Sequence, residues 1–565
     1  MHSKFRIPAA VSAMTLLVAL STFVCTAQER SFDRQSGAPT ERAARPMGAE
    51  RAPDVAMQPD VTTQGTVEVG GQSISYTAVA GIITVAATDT EDAELGPDGK
   101  PAPGSEMALA TQNPAEGPPL AHMFYVAYFK TGADAEHRPV TFFYNGGPGS
   151  STMWLHMGSM GPVAVDTNTD QHLPGAPYQL KPNPDCLLDV SDIVFIDMPG
   201  TGFGRLTGKD PGKAFWGVDE DADAFARFIT RFLTKYNRWN SPKYLFGESY
   251  GTTRSAVLAN DLEHRNIDLN GVMLLGEILN FGIGAGVGGA HAGMDLPYAL
   301  ALPSYAATAW YHKKLSPEPS ALDPFLQQVE DFSLGEYLHA LALGTDLSDT
   351  EKQADAEKIH DFTGLPVDYV LKADLRVAPG EFEKTFDSDI DMTTGRYDTR
   401  FLGPTMDPLS ETSEHDPQSD AISSAYYALL NVYVRNTLKY GEGQTYIPDA
   451  IFGGTRWDMS RQGRGRFGGG GGYGGSLNVM PDLADAMKSN PNLHVMLNDG
   501  YFDLATPFFA AEYEEKHLPI PESLAKNISY NWYESGHMAY VRDSCRKLLH
   551  DRAAAFIKET EAETK

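Results

Sequence analysis

The segment Tyr244-Leu-Phe-Gly-Glu-Ser-Tyr-Gly-Thr-Thr-Arg254 constrains the fold of this chain more than any other. Its apolar start reads as a short strand and its end as the first turn of a helix, with Gly247 and Gly251 on either side of Ser249. A strand that turns straight into a helix brings backbone atoms so close that the flanking positions must be nearly free of side chain, which the Gly-x-Ser-x-Gly spacing provides. The serine hydroxyl is then lifted above the sheet edge. The amide of Tyr250, at the start of the helix, points to where negative charge on a reacting carbonyl would develop. The same residues also describe a plain strand-to-helix turn whose serine caps the helix, so the rest of the chain must decide.

Around this turn the sequence alternates between strands and helices. Val67 and Val69 alternate with polar residues, Gly70-Gly71 supplies a two-residue turn, and Ile74 and Tyr76 alternate on the return, so a hairpin opens the fold. Further strands are expected over Ile82–Ala86 and His122–Phe129, with a Pro-, Gly- and acid-rich loop between them from Asp89 to Pro119. The apolar runs Pro139–Tyr144, Asp192–Asp197 and Gly271–Gly276 suit strands buried on both faces. Asp219–Tyr236 reads as an amphipathic helix. Its leading acids Asp219, Glu220, Asp221 and Asp223 are assigned to compensation of the helix dipole rather than to a metal site, because no Ca²⁺-loop glycine or closing glutamate follows them. The pattern predicts an α/β protein with a mostly parallel central sheet flanked by helices, and chemistry at the strands' carboxyl ends.

From Gly282 to Gly475 the alternation stops. Helices over Ser304–Lys314, Asp323–Leu343 and Ala421–Tyr440 describe an inserted, largely helical cap over the catalytic edge. The insertion ends in the Arg- and Gly-rich run Arg461–Gly475, read as a mobile loop or hinge. Strands return at Leu493–Leu497 and Ile528–Tyr533, and a last helix is expected over Asp543–Lys558.

Residues 1–27 combine Lys4 and Arg6, an apolar run from Val11 to Val24 and small residues up to Ala27, the pattern of a cleaved export signal. Gln28 to Asp60 lacks apolar periodicity and reads as a disordered leader. The formal charge of −29 becomes −31 once Lys4 and Arg6 are removed. Such an acidic surface argues against nucleic acid and anionic membranes as partners, and no run is suited to stable membrane insertion. After cleavage only Cys186 and Cys545 remain, either as a disulfide or as two buried thiols.

A serine becomes nucleophilic when a histidine takes its proton and a carboxylate fixes the histidine tautomer. In the α/β-hydrolase fold these partners follow the serine in the order acid, then histidine, each after a late strand. Asp503 follows the strand at Leu493, and His537 follows the strand at Ile528. Asp499 and Glu534 are rival acids; Gly536 is taken to leave room for the imidazole. Asn145-Gly-Gly-Pro-Gly149 leaves an earlier strand where the fold draws its second oxyanion donor, so Gly147 is expected to join the Tyr250 amide. No Gly-Lys-Ser/Thr follows to make this loop a phosphate cradle.

Asn145-Gly-Gly-Pro-Gly-Ser-Ser151, Phe195-Ile-Asp-Met-Pro-Gly-Thr-Gly-Phe203, Gly247-Glu-Ser-Tyr-Gly251, Asn498 to Asp503 and Gly536-His-Met538 are similar, in order, to the blocks of the serine carboxypeptidases. The resemblance spans roughly Pro139–Leu279 and Leu493–Val541, outside the cap and leader. It implies Ser249, Asp503 and His537 as the triad, Gly147 and Tyr250 as oxyanion donors, and Asn145, Gly146 and Glu248 as ligands of a peptide's terminal carboxylate. It implies no metal or cofactor. Two positions depart from the family pattern: Ser159 stands where a second acid often pairs with the elbow glutamate, and Ser150 where many members have a disulfide cysteine.

The sequence thus predicts an α/β-hydrolase fold with its core divided into residues 61–281 and 476–565, a cap insertion over 282–475, a leader over 28–60 and a signal peptide over 1–27. The expected activity is that of an exported (periplasmic or secreted) serine carboxypeptidase acting on peptides through an acyl-enzyme. An esterase or acyltransferase using the same triad, and a non-catalytic exported binding protein, are the alternatives.

Overall fold

The computed structural model describes residues 58–110, 116–167, 169–283, 293–450, 457–461 and 476–563. The expected signal peptide, most of the leader and Gln462–Gly475 lie outside these residues. The strands are β1 (Val61–Val69), β2 (Gln72–Ala86), β3 (Leu120–Lys130), β4 (Val140–Tyr144), β5 (Val163–Val165), β6 (Leu180–Pro182), β7 (Asp192–Ile196), β8 (Arg205–Thr207), β9 (Lys243–Glu248), β10 (Gly271–Leu275), β11 (Met392–Thr394), β12 (Leu402–Pro404), β13 (His494–Gly500) and β14 (Ile528–Tyr533). Ten of them form one sheet in the order β1-β2-β3-β7-β4-β9-β10-β13-β14, with β8 paired to β3. The run from β7 to β14 is parallel throughout, and β1, β2, β3 and β8 add an antiparallel edge. β5–β6 and β11–β12 are separate two-stranded ribbons.

The continuous apolar runs are explained by burial on both faces. Phe143 and Phe246 pack into one core and their neighbours Phe142 and Leu245 into another on the opposite side. Helices Val218–Lys235 and Tyr250–His264 cover the second face, and Asp543–Glu563 packs against the first. This layering and strand order are those of the α/β-hydrolase fold. β7 and β9 lie on opposite sides of β4, so the connections reverse direction there and open a crevice beyond the carboxyl ends of β4 and β9.

Several boundaries differ from the pattern reading. Ile82–Ala86 is not a separate strand; β2 runs unbroken from Gln72, because Gly81 stays extended where the Asp60 carboxylate accepts the Ile82 amide at 3.3 Å. The Asp89–Pro119 stretch contains two short helices, Asp89–Ala93 and Glu106–Ala110. Between β10 and β13 about half of the described residues are helical. The expected Ser304–Lys314 helix begins earlier, at Leu296, and holds Pro303 within it. Asp323–Leu343 is broken by non-helical Gly335 (φ −99°, ψ −106°) into Leu322–Phe332 and Leu338–Leu343, while Pro417–Asn436 replaces the predicted Ala421–Tyr440. Many of these helices pack their apolar sides into a third core, which also takes Phe502 and Phe508 from the chain after β13. Cys186 and Cys545 are both free, buried thiols. Among the described residues no helix is long and apolar enough to cross a membrane.

Candidate active site

The turn after β9 is as tight as its glycines require. An ideal Cβ on Gly247 would lie 2.2 Å from the Gly251 carbonyl oxygen, and one on Gly251 would lie 2.9 Å from that of Tyr144. Ser249, between them, takes φ +61° and ψ −132°, a conformation costly for a side-chain-bearing residue and of the kind retained at functional sites. Its amide donates to the Leu275 carbonyl (2.9 Å), which ties the turn to the neighbouring strand.

Asp503 and His537 come together from the loops after β13 and β14. His537 Nδ1 and Asp503 Oδ2 are 2.6 Å apart, with both residues buried. Asp503 Oδ1 accepts the amides of Ala505 (2.7 Å) and Thr506 (3.1 Å), and the Thr506 hydroxyl donates to Oδ2 (2.7 Å). The carboxylate is therefore fixed before it meets the imidazole. Burial opposes charge on His537, yet Asp503 and Glu248 hold its pKa above the ordinary histidine value. The rival acids are elsewhere: Asp499 accepts the Glu277 amide at 2.8 Å as a structural turn, and Glu534 is exposed.

Gly536 does not make room for the imidazole. A Cβ there would strike the Tyr397 carbonyl oxygen at 2.2 Å, so its absence admits the backbone of the inserted segment. The space beside the ring comes from Gly276 (φ +60°), where a Cβ would lie 2.8 Å from both Cε1 and Nδ1 of His537. Position 276 was legible only as the end of a strand, since its neighbour across space is remote in sequence.

The loop after β4 packs directly on the elbow. A Cβ on Gly146 would lie 2.4 Å from the Tyr250 nitrogen, and Gly147 has φ +109°. Arg254 holds the two together. Fully buried, it pairs through Nε with Asp221 (2.6 Å) and donates from Nη1 to the Asn145 carbonyl (2.7 Å), while its guanidinium lies over the Phe225 ring at 4.4 Å. The helix-dipole reading of the acids thus missed their partners: Asp221 with Arg254, Asp223 with Arg265 and Asp219 with Arg461.

Asn145, Gly146, Gly147, Glu248, Ser249 and His537 all line one cavity of about 440 Å³. Its far wall includes Trp154 and the first turns of the Pro417–Asn436 helix. Glu248 is buried, and its Oε2 accepts the Tyr540 hydroxyl at 2.8 Å. Burial raises its pKa to about 7, although His537, Tyr540 and Asn145 pull the other way. Ser159 is not part of this wall: its hydroxyl donates to the Leu155 carbonyl (2.6 Å) at the end of the Met153–Gly158 helix. Tyr540 packs there instead, since a Cβ on Gly158 would meet its ring at 2.7 Å. Sequence reasoning missed Tyr540, Thr506 and Arg254, none of which sits at a motif position that announces its contact.

The fold is that of an α/β-hydrolase, with Ser249 and His537 on one cavity and Asp503 paired to the histidine. The family model described as serine carboxypeptidase matches residues 115–285, the segment that holds the Asn145 loop and the Ser249 elbow. Carboxypeptidase Y homolog A of Paracoccidioides lutzii is 27% identical over 157 residues, 27% of this chain and 26% of that protein. The pheromone-processing carboxypeptidase KEX1 of Phytophthora infestans is 26% identical over 191 residues, 31% of this chain and 29% of that protein. The matched part thus spans little more than a quarter of these relatives. Among solved structures, a haloalkane dehalogenase variant from Bradyrhizobium elkanii is 13% identical with a TM-score of 0.30, covering 79% of this chain and 95% of that one. The fold assignment rests on the sheet order rather than on that likeness.

Proposed function

We propose that the protein is an exported serine carboxypeptidase that removes C-terminal residues from peptides through an acyl-enzyme. The observation that carries this reading is that Ser249 and His537 line one cavity while a firmly held Asp503 lies 2.6 Å from His537 Nδ1. With Nδ1–H donated to Asp503, His537 Nε2 is the nitrogen left to take the Ser249 proton. Ser249 Oγ then attacks the last peptide carbonyl, and the amides of Gly147 and Tyr250 receive the oxyanion, each donor being worth roughly 3 kcal/mol in the transition state. His537 passes the proton to the departing amine, and water, activated by the same histidine, releases the shortened peptide.

Asn145, Gly146 and Glu248 are proposed to bind the terminal carboxylate. A carboxyl with a pKa of about 7 is neutral in mild acid and can donate a hydrogen bond to that group; ionised, it repels it. Protonating Glu248 also removes one of the charges that raise His537, which keeps the base available at lower pH.

A fluorophosphonate probe should label wild-type protein and not Ser249→Ala. Absence of labelling in folded wild-type protein removes the serine-enzyme reading. A second reading, an esterase or acyltransferase, is favoured by one observation: Ser159 turns away from the cavity and supplies no second acid. Equal turnover of a blocked dipeptide, its C-terminal amide and its ester would support this alternative; preference for the free carboxylate supports the peptidase. Export is tested by N-terminal sequencing of the mature protein, which should begin at Gln28.

A further inference from the structure

Asp503 and His537 sit on loops that begin where the sheet stops, after Gly500 in β13 and Tyr533 in β14. The Phe502 amide donates to the Ser535 carbonyl (3.0 Å) and links the two loops directly. Residues 396–400 of the insertion add a second tie to each. The Arg396 carbonyl accepts the Leu504 amide (2.9 Å) and the Thr399 amide donates to the Phe502 carbonyl (3.0 Å), so Asp503 is gripped on both sides. The Tyr397 carbonyl accepts the amide of His537 itself (2.6 Å). Arg400, only 4% exposed, closes the arrangement. It binds the fully buried Asp398 through Nε (2.9 Å) and Nη2 (2.6 Å). Nη1 donates to the Glu534 carbonyl (2.6 Å) and Nη2 to the Ser535 hydroxyl (3.1 Å), while the guanidinium lies 5.2 Å from the centre of the Phe502 ring.

A planar guanidinium can hold a carboxylate along one edge and reach a carbonyl from the other, which a single ammonium cannot do. An ion pair serving stability alone could offer its spare donors to any acceptor. Here both bonds beyond Asp398 go to the loop that leads into His537, and the backbone on either side of Asp503 is held by the same five residues. We infer that Arg400 is a positioning residue for the triad: paired with Asp398, it locks residues 396–400 onto the Asp503 and His537 loops and so fixes the distance between carboxylate and imidazole. The inference rests on Ser249, Asp503 and His537 working as one triad. It makes this part of the insertion a fixed member of the site and not only a cover over it.

The test measures, across pH, the rate at which a fluorophosphonate labels Ser249, expressed per folded molecule by near-ultraviolet circular dichroism. Wild-type protein is compared with Arg400→Lys and with the double variant Asp398→Asn, Arg400→Gln. Lysine keeps a charge beside Asp398 without spanning to Glu534 and Ser535, and the double variant leaves no buried charge stranded. Both should label about 100-fold more slowly. The acid limb of their profiles, set by His537, should move to lower pH as Asp503 draws away from the ring. A wild-type rate in either folded variant overturns the inference. So does a slower rate with the limb unmoved, because the acid–imidazole pair would then be intact. Should neither variant fold, hydrogen exchange on wild-type protein decides: the amides of Leu504 and His537 should be as protected as those of β13, and exchange as fast as in exposed loops overturns the inference. Folded wild-type protein that is not labelled sinks the triad reading beneath it, whereas a labelled wild type with unaffected variants sinks only the Arg400 assignment.

Discussion

Replacing Glu248 by glutamine should change how stability depends on pH, and the size of the change follows from its burial. The folded-state pKa is about 7 against an ordinary 4.5, and the residue is only 4% exposed, so solvent screening removes little of the effect. Below pH 4.5 the carboxyl is protonated in both folded and unfolded chains and contributes nothing. Between 4.5 and 7 the folded protein keeps a proton that the unfolded chain has lost, so stability falls as pH rises; above 7 the loss is complete. At about 1.4 kcal/mol per pKa unit, the loss is about 3 kcal/mol. Glutamine is neutral throughout and close in shape, so the variant should match wild type at pH 4.5 and exceed it by about 3 kcal/mol at pH 8. In a folded unit of roughly 500 residues this is a Tm difference of about 3 °C, measurable by calorimetry at a fixed scan rate. The pH profile of kcat/KM should lose its alkaline limb near 7 while keeping the acid limb set by His537. Parallel Tm curves for the two proteins from pH 4.5 to 8 would refute the argument, since Glu248 would then not carry the buried proton.

The other expectations concern the supports of the site. Asp503→Asn should lower kcat by about 10⁴-fold, because the amide favours the wrong imidazole tautomer, with Tm almost unchanged. Gly276→Ala places a methyl 2.8 Å from the His537 ring at a positive-φ position and should cost at least about 100-fold in kcat, read by steady-state kinetics. Arg254→Met strands the buried Asp221 carboxylate and frees the Asn145 carbonyl; denaturant titration should show a loss of about 3–5 kcal/mol.

The elbow, the mostly parallel sheet and the two late loops were legible because each is a local pattern: glycine spacing, doubly buried apolar runs, and polar residues just past a strand. His537 could be singled out from the loop it occupies. What makes it reachable could not, because Gly276 and the Tyr397 backbone approach it from distant parts of the chain. Period-based reading also set Ile82–Ala86 apart from the return strand of Ile74 and Tyr76, where one strand runs through Gly81. Ser159 stood out in the sequence as a departure from the resembled pattern, but nothing there signalled that Tyr540 would donate to Glu248. Buried charge was the hardest to anticipate, since Asp221 looks like any other acid in a first helical turn until Arg254 is seen beside it.

β10 and β13 are adjacent in the sheet, paired from Gly271 with His494 to Leu275 with Asn498. Everything between residues 276 and 493 therefore leaves at the carboxyl end of one strand and rejoins at the amino end of its parallel neighbour, roughly 14 Å away. A segment whose ends join only two adjacent strands can be lengthened, rewritten or exchanged over evolutionary time without altering any strand register, much as a tool is changed in a fixed chuck. The family match ends at residue 285, just past this exit point. Ser249 and His537 come to the cavity from the sheet frame, and part of its wall, Gln418 included, from the inserted piece. Likeness at the elbow thus speaks for the frame, while the wall facing it is written in residues that relatives need not share.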